Sequence, residues 1–217
     1  MTRSRPATSA PHTHGMVIRW ARLYDTVVKV ISLGREDVLR EQTVALAELQ
    51  PGQHVLDVGC GTGTLVIAAA RSEPTIEVQG IDPASTMIER ARSKAEAAGV
   101  AASFEVGVVE KLNVDEGSVD VVLSSLMLHH LPGDVLQKGL EEIFRVLRPG
   151  GRFVAVDFFG RGPLLHRLGS LFHGNHSHAE GQETKLMGQL RDVGFVDIER
   201  GQLRPRYLSS LVAHKTA

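Results

Sequence analysis

The stretch Val55-Leu56-Asp57-Val58-Gly59-Cys60-Gly61-Thr62-Gly63 constrains this chain more than any other. Four strand-like residues run into three glycines at alternate positions, and Leu65-Val66-Ile67 with Ala68-Ala69-Ala70 continue as a helix. Glycine is needed where a backbone takes unusual dihedrals, or where a partner must come closer than a Cβ allows. A strand, a tight glycine turn and a helix in that order suit a nucleotide-binding α/β protein. There the loop sits at the carboxyl end of the first strand and the next helix aims its N-terminus at the bound molecule.

A second residue narrows the choice of nucleotide. Ile76-Glu77-Val78-Gln79-Gly80-Ile81 reads as the next strand and ends at Asp82, nineteen residues after Gly63. A carboxylate there can accept hydrogen bonds from both hydroxyls of a ribose. A dinucleotide fingerprint would read G-x-G-x-x-G, whereas this loop reads G-x-G-x-G with Thr64 at the place of the last glycine. That weakens an NAD reading without removing it.

Further motifs follow in order. Gly80-Ile81-Asp82-Pro83-Ala84 is followed by Val119-Asp120-Val121-Val122-Leu123-Ser124-Ser125, by Leu128-His129-His130-Leu131-Pro132, and by Glu142-Ile143-Phe144-Arg145-Val146-Leu147-Arg148-Pro149-Gly150-Gly151 with Arg152-Phe153-Val154-Ala155-Val156. Together with the glycine loop these resemble the class I S-adenosylmethionine-dependent methyltransferases, and the last pieces resemble the subgroup of ubiquinone- and menaquinone-type C-methyltransferases. The likeness covers roughly residues 20 to 213. It implies S-adenosyl-L-methionine as cofactor, S-adenosyl-L-homocysteine as product, and a cofactor site drawn from Tyr24, Asp57, Gly59, Gly61, Gly63, Asp82, Pro83, Met87, Val108, Val109 and Ser124. After the third strand the family commonly reads Gly-Asp-Ala-Glu, its acid accepting from the adenine amino group. Here Gly107-Val108-Val109-Glu110 leaves backbone groups and apolar contact to hold the adenine.

The expected fold is α/β: a Rossmann-like doubly wound sheet of about seven strands, mostly parallel with an antiparallel last strand and helices on both faces. Residues 1 to 15, rich in Ser, Thr, Pro and His, read as a flexible tail. Residues 16 to 217 read as one methyltransferase domain, comprising a helical cap over 16–50, a cofactor-binding core over 53–158, a lid-like insertion over 160–181, and a closing helix with antiparallel strands over 182–213. In the cap, Val17, Trp20, Tyr24, Val27, Val28 and Ile31 recur at helical spacing. Tyr24 is read either as an aromatic reaching the methionine part of the cofactor or as packing; for Trp20 the reading is packing. In the insertion, Leu164, Leu165, Leu168 and Leu171 also fall at helical spacing.

Lysine and arginine total 24 against 25 acids, so no net field favours nucleic acid or an anionic membrane. No run of about 18 apolar residues suggests a membrane span. With no apolar run behind Arg3 and Arg5 to make a secretory signal, a cytoplasmic protein is expected. The single cysteine, Cys60, excludes an internal disulfide and reads as a small residue that fits the turn rather than as a nucleophile. His12 and His14 on the tail, and His173, His176 and His178 in the insertion, have no cysteine partners, and no metal is expected.

Methyl transfer mainly requires alignment of donor and acceptor. Where the acceptor must lose a proton, a base adds roughly a hundredfold or more. Imidazole titrates near 6.5, so His129 and His130 are the candidates. On an extended segment neighbouring side chains point opposite ways, so at most one of the two faces the site. His129 matches the position of the base in plant O-methyltransferases, relatives in the same class; it is read as the catalytic residue or as a histidine that only lines the pocket, and His130 as a core or sheet-edge residue. The function expected is transfer of a methyl group to a small, apolar or aromatic acceptor. Two alternatives stand beside it. One is an NAD-dependent oxidoreductase, which the absence of a Tyr-x-x-x-Lys pair disfavours; the other is a cofactor-binding module without turnover, kept open by Val108.

Overall fold

The computed structural model describes Thr13 and residues 36–158, 179–204 and 208–217, with the backbone alone at 179–182. Trp20, Tyr24, the histidines of the tail and those of the insertion lie outside the described residues.

In chain order the elements are α1 (Glu36–Ala47), β1 (His54–Val58), α2 (Thr64–Ser72), β2 (Glu77–Asp82), α3 (Ser85–Ala98), β3 (Ser103–Val106), β4 (Val119–Ser125), a 3-10 turn at Leu128–His130, α4 (Gly133–Val146), β5 (Leu147–Asp157), α5 (Ala179–Val193), β6 (Phe195–Gln202) and β7 (Ser209–Lys215). They build one seven-stranded sheet in the order β3-β2-β1-β4-β5-β7-β6. β3, β2, β1, β4 and β5 are parallel, and β7 runs antiparallel to both β5 and β6. The expected fold class is the one observed.

Winding outward from β1 to β2 and β3, then returning to place β4 on the other side of β1, creates a topological switch point between β1 and β4. In open parallel sheets the crevice outside the carboxyl ends of the strands at such a point is where ligands bind. The segments that follow β1, β2 and β4 therefore converge there.

Alternation along the central strands divides the core. Val55, Val121, Leu123 and Val154 face Val66 of α2 and Ile88 and Ala91 of α3. Leu56, Val122, Phe153 and Ala155 face Leu140 and Ile143 of α4 and Leu190 of α5. β4 is buried on both faces, as its run of valines predicts. α4 buries Val135, Gly139, Leu140, Ile143 and Val146, a stripe at helical spacing. Gly139 lets α4 lie against Val109, whose methyls would stand 3.1 Å from a Cβ there.

Several boundaries differ from the expected ones by a few residues. α3 does end at Gly99, which takes φ 65° and donates its N–H to the carbonyls of Ala95 and Glu96. β5 starts earlier than expected, at Leu147, because Leu147 already pairs with Val119 before a register shift between Val119 and Val121. α5 starts at Ala179, so Gly181 lies within a helix, at a cost of about 1 kcal/mol relative to alanine. Among the described residues no helix is long and apolar enough to cross a membrane.

Candidate active site

The glycine loop is held from β2. Gly59 and Cys60 donate their N–H groups to the carbonyl of Ile81 at 2.8 and 3.0 Å. Gly61 donates to Oδ2 of Asp82 at 3.0 Å, and the other oxygen of that carboxylate accepts from Ala84 N–H at 2.9 Å. Asp82 thus joins the loop after β1 to the N-terminus of α3. Burial pushes its carboxyl above the usual range, against the pull of the two backbone donors. Gly59, Gly61 and Gly63 take φ of 72°, 53° and 76°, the left-handed conformation that L side chains rarely adopt. Their closest neighbours belong to the protein: a Cβ at Gly59 would collide with Met127, and one at Gly63 with Phe104 and Ala91.

A cleft remains between the loop and the carboxylate. Of the residues expected to hold a cofactor, Gly59, Gly61, Asp82, Pro83, Met87, Val108 and Val109 line it together. Met87, Val108 and Val109 are 2%, 3% and 9% exposed, a dry apolar wall beside Asp82. Thr13, Met127, His130 and Leu131 are among the other residues lining the cleft and are not expected there from the sequence.

Asp57 lies across Gly59 in a second hollow, together with Glu36 and Arg40 of α1. Its side chain is 1% exposed and its Oδ1 has no hydrogen-bond partner. Burial, reinforced by the charge of Asp82, pushes its carboxyl well above the usual range. A buried acceptor without a donor is costly unless a ligand or water supplies one. Arg40 reaches Glu36 at 2.9 Å. A guanidinium and the unpartnered acceptor of Asp57 in one hollow match the carboxylate and ammonium of an amino-acid end, and the Asp82 side of the cleft matches a nucleoside. The residues present therefore fit S-adenosylmethionine.

Two expected cofactor residues stand apart. Gly63 caps the start of α2 and packs into the core, and Ser124 is 1% exposed with an unpartnered Oγ on the face it shares with Val122. Neither lines the two hollows. Cys60 is buried, and burial with the charges of Asp57 and Asp82 pushes its thiol up, so it is no nucleophile; its sulfur fills the space beside Gly80. Among the described residues no three His, Cys, Asp or Glu side chains gather as a metal site.

The two histidines depart from the extended geometry expected of them. Residues 128–130 form a 3-10 turn, so the rings of His129 and His130 lie side by side with centroids 3.8 Å apart and planes at 42°. His130 lines the cleft. His129 turns its Nδ1 to Asp157, the last residue of β5, at 2.6 Å from Oδ1. Asp157 is 0% exposed and also accepts from the backbone N–H groups of His129 (3.1 Å) and Phe158 (2.7 Å). Burial pulls the His129 imidazole down, but the charge and hydrogen bond of Asp157 outweigh it and the net shift is upward. Burial likewise pushes Asp157 up, and His129 with the backbone donors brings it below the usual carboxylate range. Sequence reasoning missed Asp157. Its one signal is an acid closing the apolar run Phe153-Val154-Ala155-Val156 at the carboxyl end of a central strand.

Comparison with known proteins agrees with this geometry. Residues 55–151 match the family described as a methyltransferase domain. A demethylmenaquinone methyltransferase of Deinococcus radiodurans is 34% identical over 165 residues, 70% of this chain and 68% of that one. The chain spans less of two further enzymes of that name, 55% for Symbiobacterium thermophilum and 60% for Thermus thermophilus. A solved S-adenosylmethionine-dependent methyltransferase of Aquifex aeolicus shares the fold with a TM-score of 0.70 at 20% identity, covering 88% of this chain and 97% of that one. The dinucleotide alternative gives way, and the chain belongs to the class I S-adenosylmethionine-dependent methyltransferases, of the ubiquinone and menaquinone type.

Proposed function

We propose that this enzyme methylates a small, largely apolar, quinone-like acceptor, and that His129 takes up the proton the acceptor loses. The observation that carries the reading is the pairing, at one end of the sheet, of an apolar cleft bounded by Met127 and Leu131 with a histidine held on a buried carboxylate. S-adenosylmethionine, when bound, supplies a methyl group on a positively charged sulfur.

The chain's own residues have distinct tasks. Asp82 spends one lone pair of each oxygen on Gly61 and Ala84, and an ionised carboxylate offers about four, so acceptors remain for two ribose hydroxyls. Asp57 and Arg40 bind the amino-acid end. Met87, Val108 and Val109 exclude water from the base and hold it by apolar contact. Leu126, Met127 and Leu131 orient the acceptor, a ring of which fits such a wall better than a charged molecule would. The three relatives matched by sequence above are named demethylmenaquinone methyltransferases, which supports a reduced naphthoquinone as the first acceptor to try.

Incubation with methyl-labelled S-adenosylmethionine and a demethylated naphthoquinol tests the reading. Label is expected in the ring product, and its absence with this and related quinols, in a protein that binds the cofactor, would reject the acceptor class.

A further inference from the structure

We infer that Asp157 is a positioning residue that fixes the tautomer of His129 and so makes Nε2 of that ring the base; the assignment rests on the proposed function above. Asp157 is fully buried at the end of β5 and spends its oxygens on His129 and on the backbone immediately around it. Oδ2 accepts from the backbone N–H of His129, which fixes the 3-10 turn, and Oδ1 meets the Nδ1 of the same residue. One carboxylate therefore sets both the backbone position and the ring orientation of a single histidine. A side chain that served only to hold the turn would not need to reach the ring.

An ionised carboxylate accepts and cannot donate, so the hydrogen between Oδ1 and Nδ1 belongs to the imidazole. Nε2, on the far edge of the ring, is left with its lone pair. Among the described residues the only partners of the His129 ring are Asp157, the neighbouring ring of His130 and the edge of Phe158, whose centroid is 5.1 Å away. The His129 side chain is 29% exposed, and its ring lies beside the His130 ring that lines the cleft. The step is a proton transfer. A bond from hydrogen to oxygen or carbon of the acceptor breaks, its electron pair stays on the acceptor, and the proton forms an N–H bond at Nε2. The resulting imidazolium rests against the Asp157 carboxylate.

Nitrogen-15 NMR of the protein without cofactor or acceptor reads the tautomer, with the His129 signals identified by their loss in His129→Gln. The wild type is expected to show a protonated Nδ1 and a bare Nε2 when the ring is neutral. The opposite tautomer would overturn the inference with no need of a variant at the buried position. In Asp157→Asn the imidazole is expected to titrate at lower pH and turnover to fall at least roughly tenfold. The acidic limb of the pH–rate profile should move down with it, while the KM for S-adenosylmethionine stays unchanged and Asp157→Glu restores part of the rate. An unmoved titration or unchanged turnover would contradict it. If no quinol is methylated yet the tautomer is as stated, the acceptor assignment fails and the dyad stands.

Discussion

The two halves of the crevice are built differently. On the β1–β2 side, Gly59 and Cys60 donate backbone N–H groups to the Ile81 carbonyl, and Gly61 and Ala84 donate theirs to the Asp82 carboxylate, so that side is set mainly by the backbone of short motifs around one acid. On the β4–β5 side, His129 and Asp157 lie 28 residues apart, at the ends of neighbouring strands, and meet through side chains. The first arrangement recognises something constant, so it is carried by backbone and by short motifs. Under the proposed function the second handles what changes in the reaction, and it is carried by side chains that titrate. Substitutions on the two sides should therefore separate binding from turnover.

The largest effect is expected from His129→Gln, which should lower kcat by about a hundredfold while leaving cofactor affinity within twofold, by single-turnover kinetics and calorimetry. Unchanged kcat would remove the contrast. Asp82→Ala should do the reverse. Losing a charge-assisted contact worth about 1.5–3 kcal/mol raises the Kd for S-adenosylhomocysteine roughly tenfold or more. Equal loss of affinity in both variants would show that the halves are not separable.

Gly59→Ala sharpens the picture of the loop. It forces a Cβ into φ 72° against Met127, and a thermal melt should show a loss of about 1–3 kcal/mol. Met127→Ala in the same chain removes the clash but not the strained dihedral, so recovery should be partial. A smaller effect of opposite sign is expected at Asp57→Asn. The raised folded-state pKa of Asp57 means the native protein holds a proton that the unfolded chain releases, so its contribution falls as pH rises. Asn removes that liability, and the variant should melt slightly higher at pH 8 while binding S-adenosylhomocysteine more weakly.

The dyad adds a pH dependence with two limits. His129 is raised by folding, so its stabilisation is present below about pH 6.5 and lost as pH rises through the folded value. Asp157 is lowered, so its stabilisation is present above about pH 3.9 and lost as pH falls through the folded value. The difference in melting temperature between wild type and Asp157→Asn should peak between those limits and shrink on either side.

This contrast also explains what could be read from the chain alone. The glycine spacing, the acid at Asp82 and the apolar runs of β4 and β5 are local patterns, and they point to the sheet, to the cofactor and to residues that line the cleft beside Asp82. Asp57 was placed there through resemblance, but its unpartnered oxygen and its neighbours Glu36 and Arg40 emerge only when α1 packs across the loop. Val108, which had kept a non-catalytic module open, proves to be part of a buried apolar wall. The histidine pair is visible in the sequence, but an extended segment would point its rings opposite ways, whereas the 3-10 turn sets them side by side, with His130 in the cleft and His129 on Asp157. Contacts between residues distant in sequence leave no periodicity to detect.

A crystal structure of the protein with S-adenosylhomocysteine bears most directly on the central claim. The account predicts the ribose on Asp82, the amino-acid end between Asp57 and Arg40, and the sulfur on the side of His130. A ligand bound with its ribose away from Asp82, or bound outside the cleft between Gly59 and that carboxylate, would contradict it.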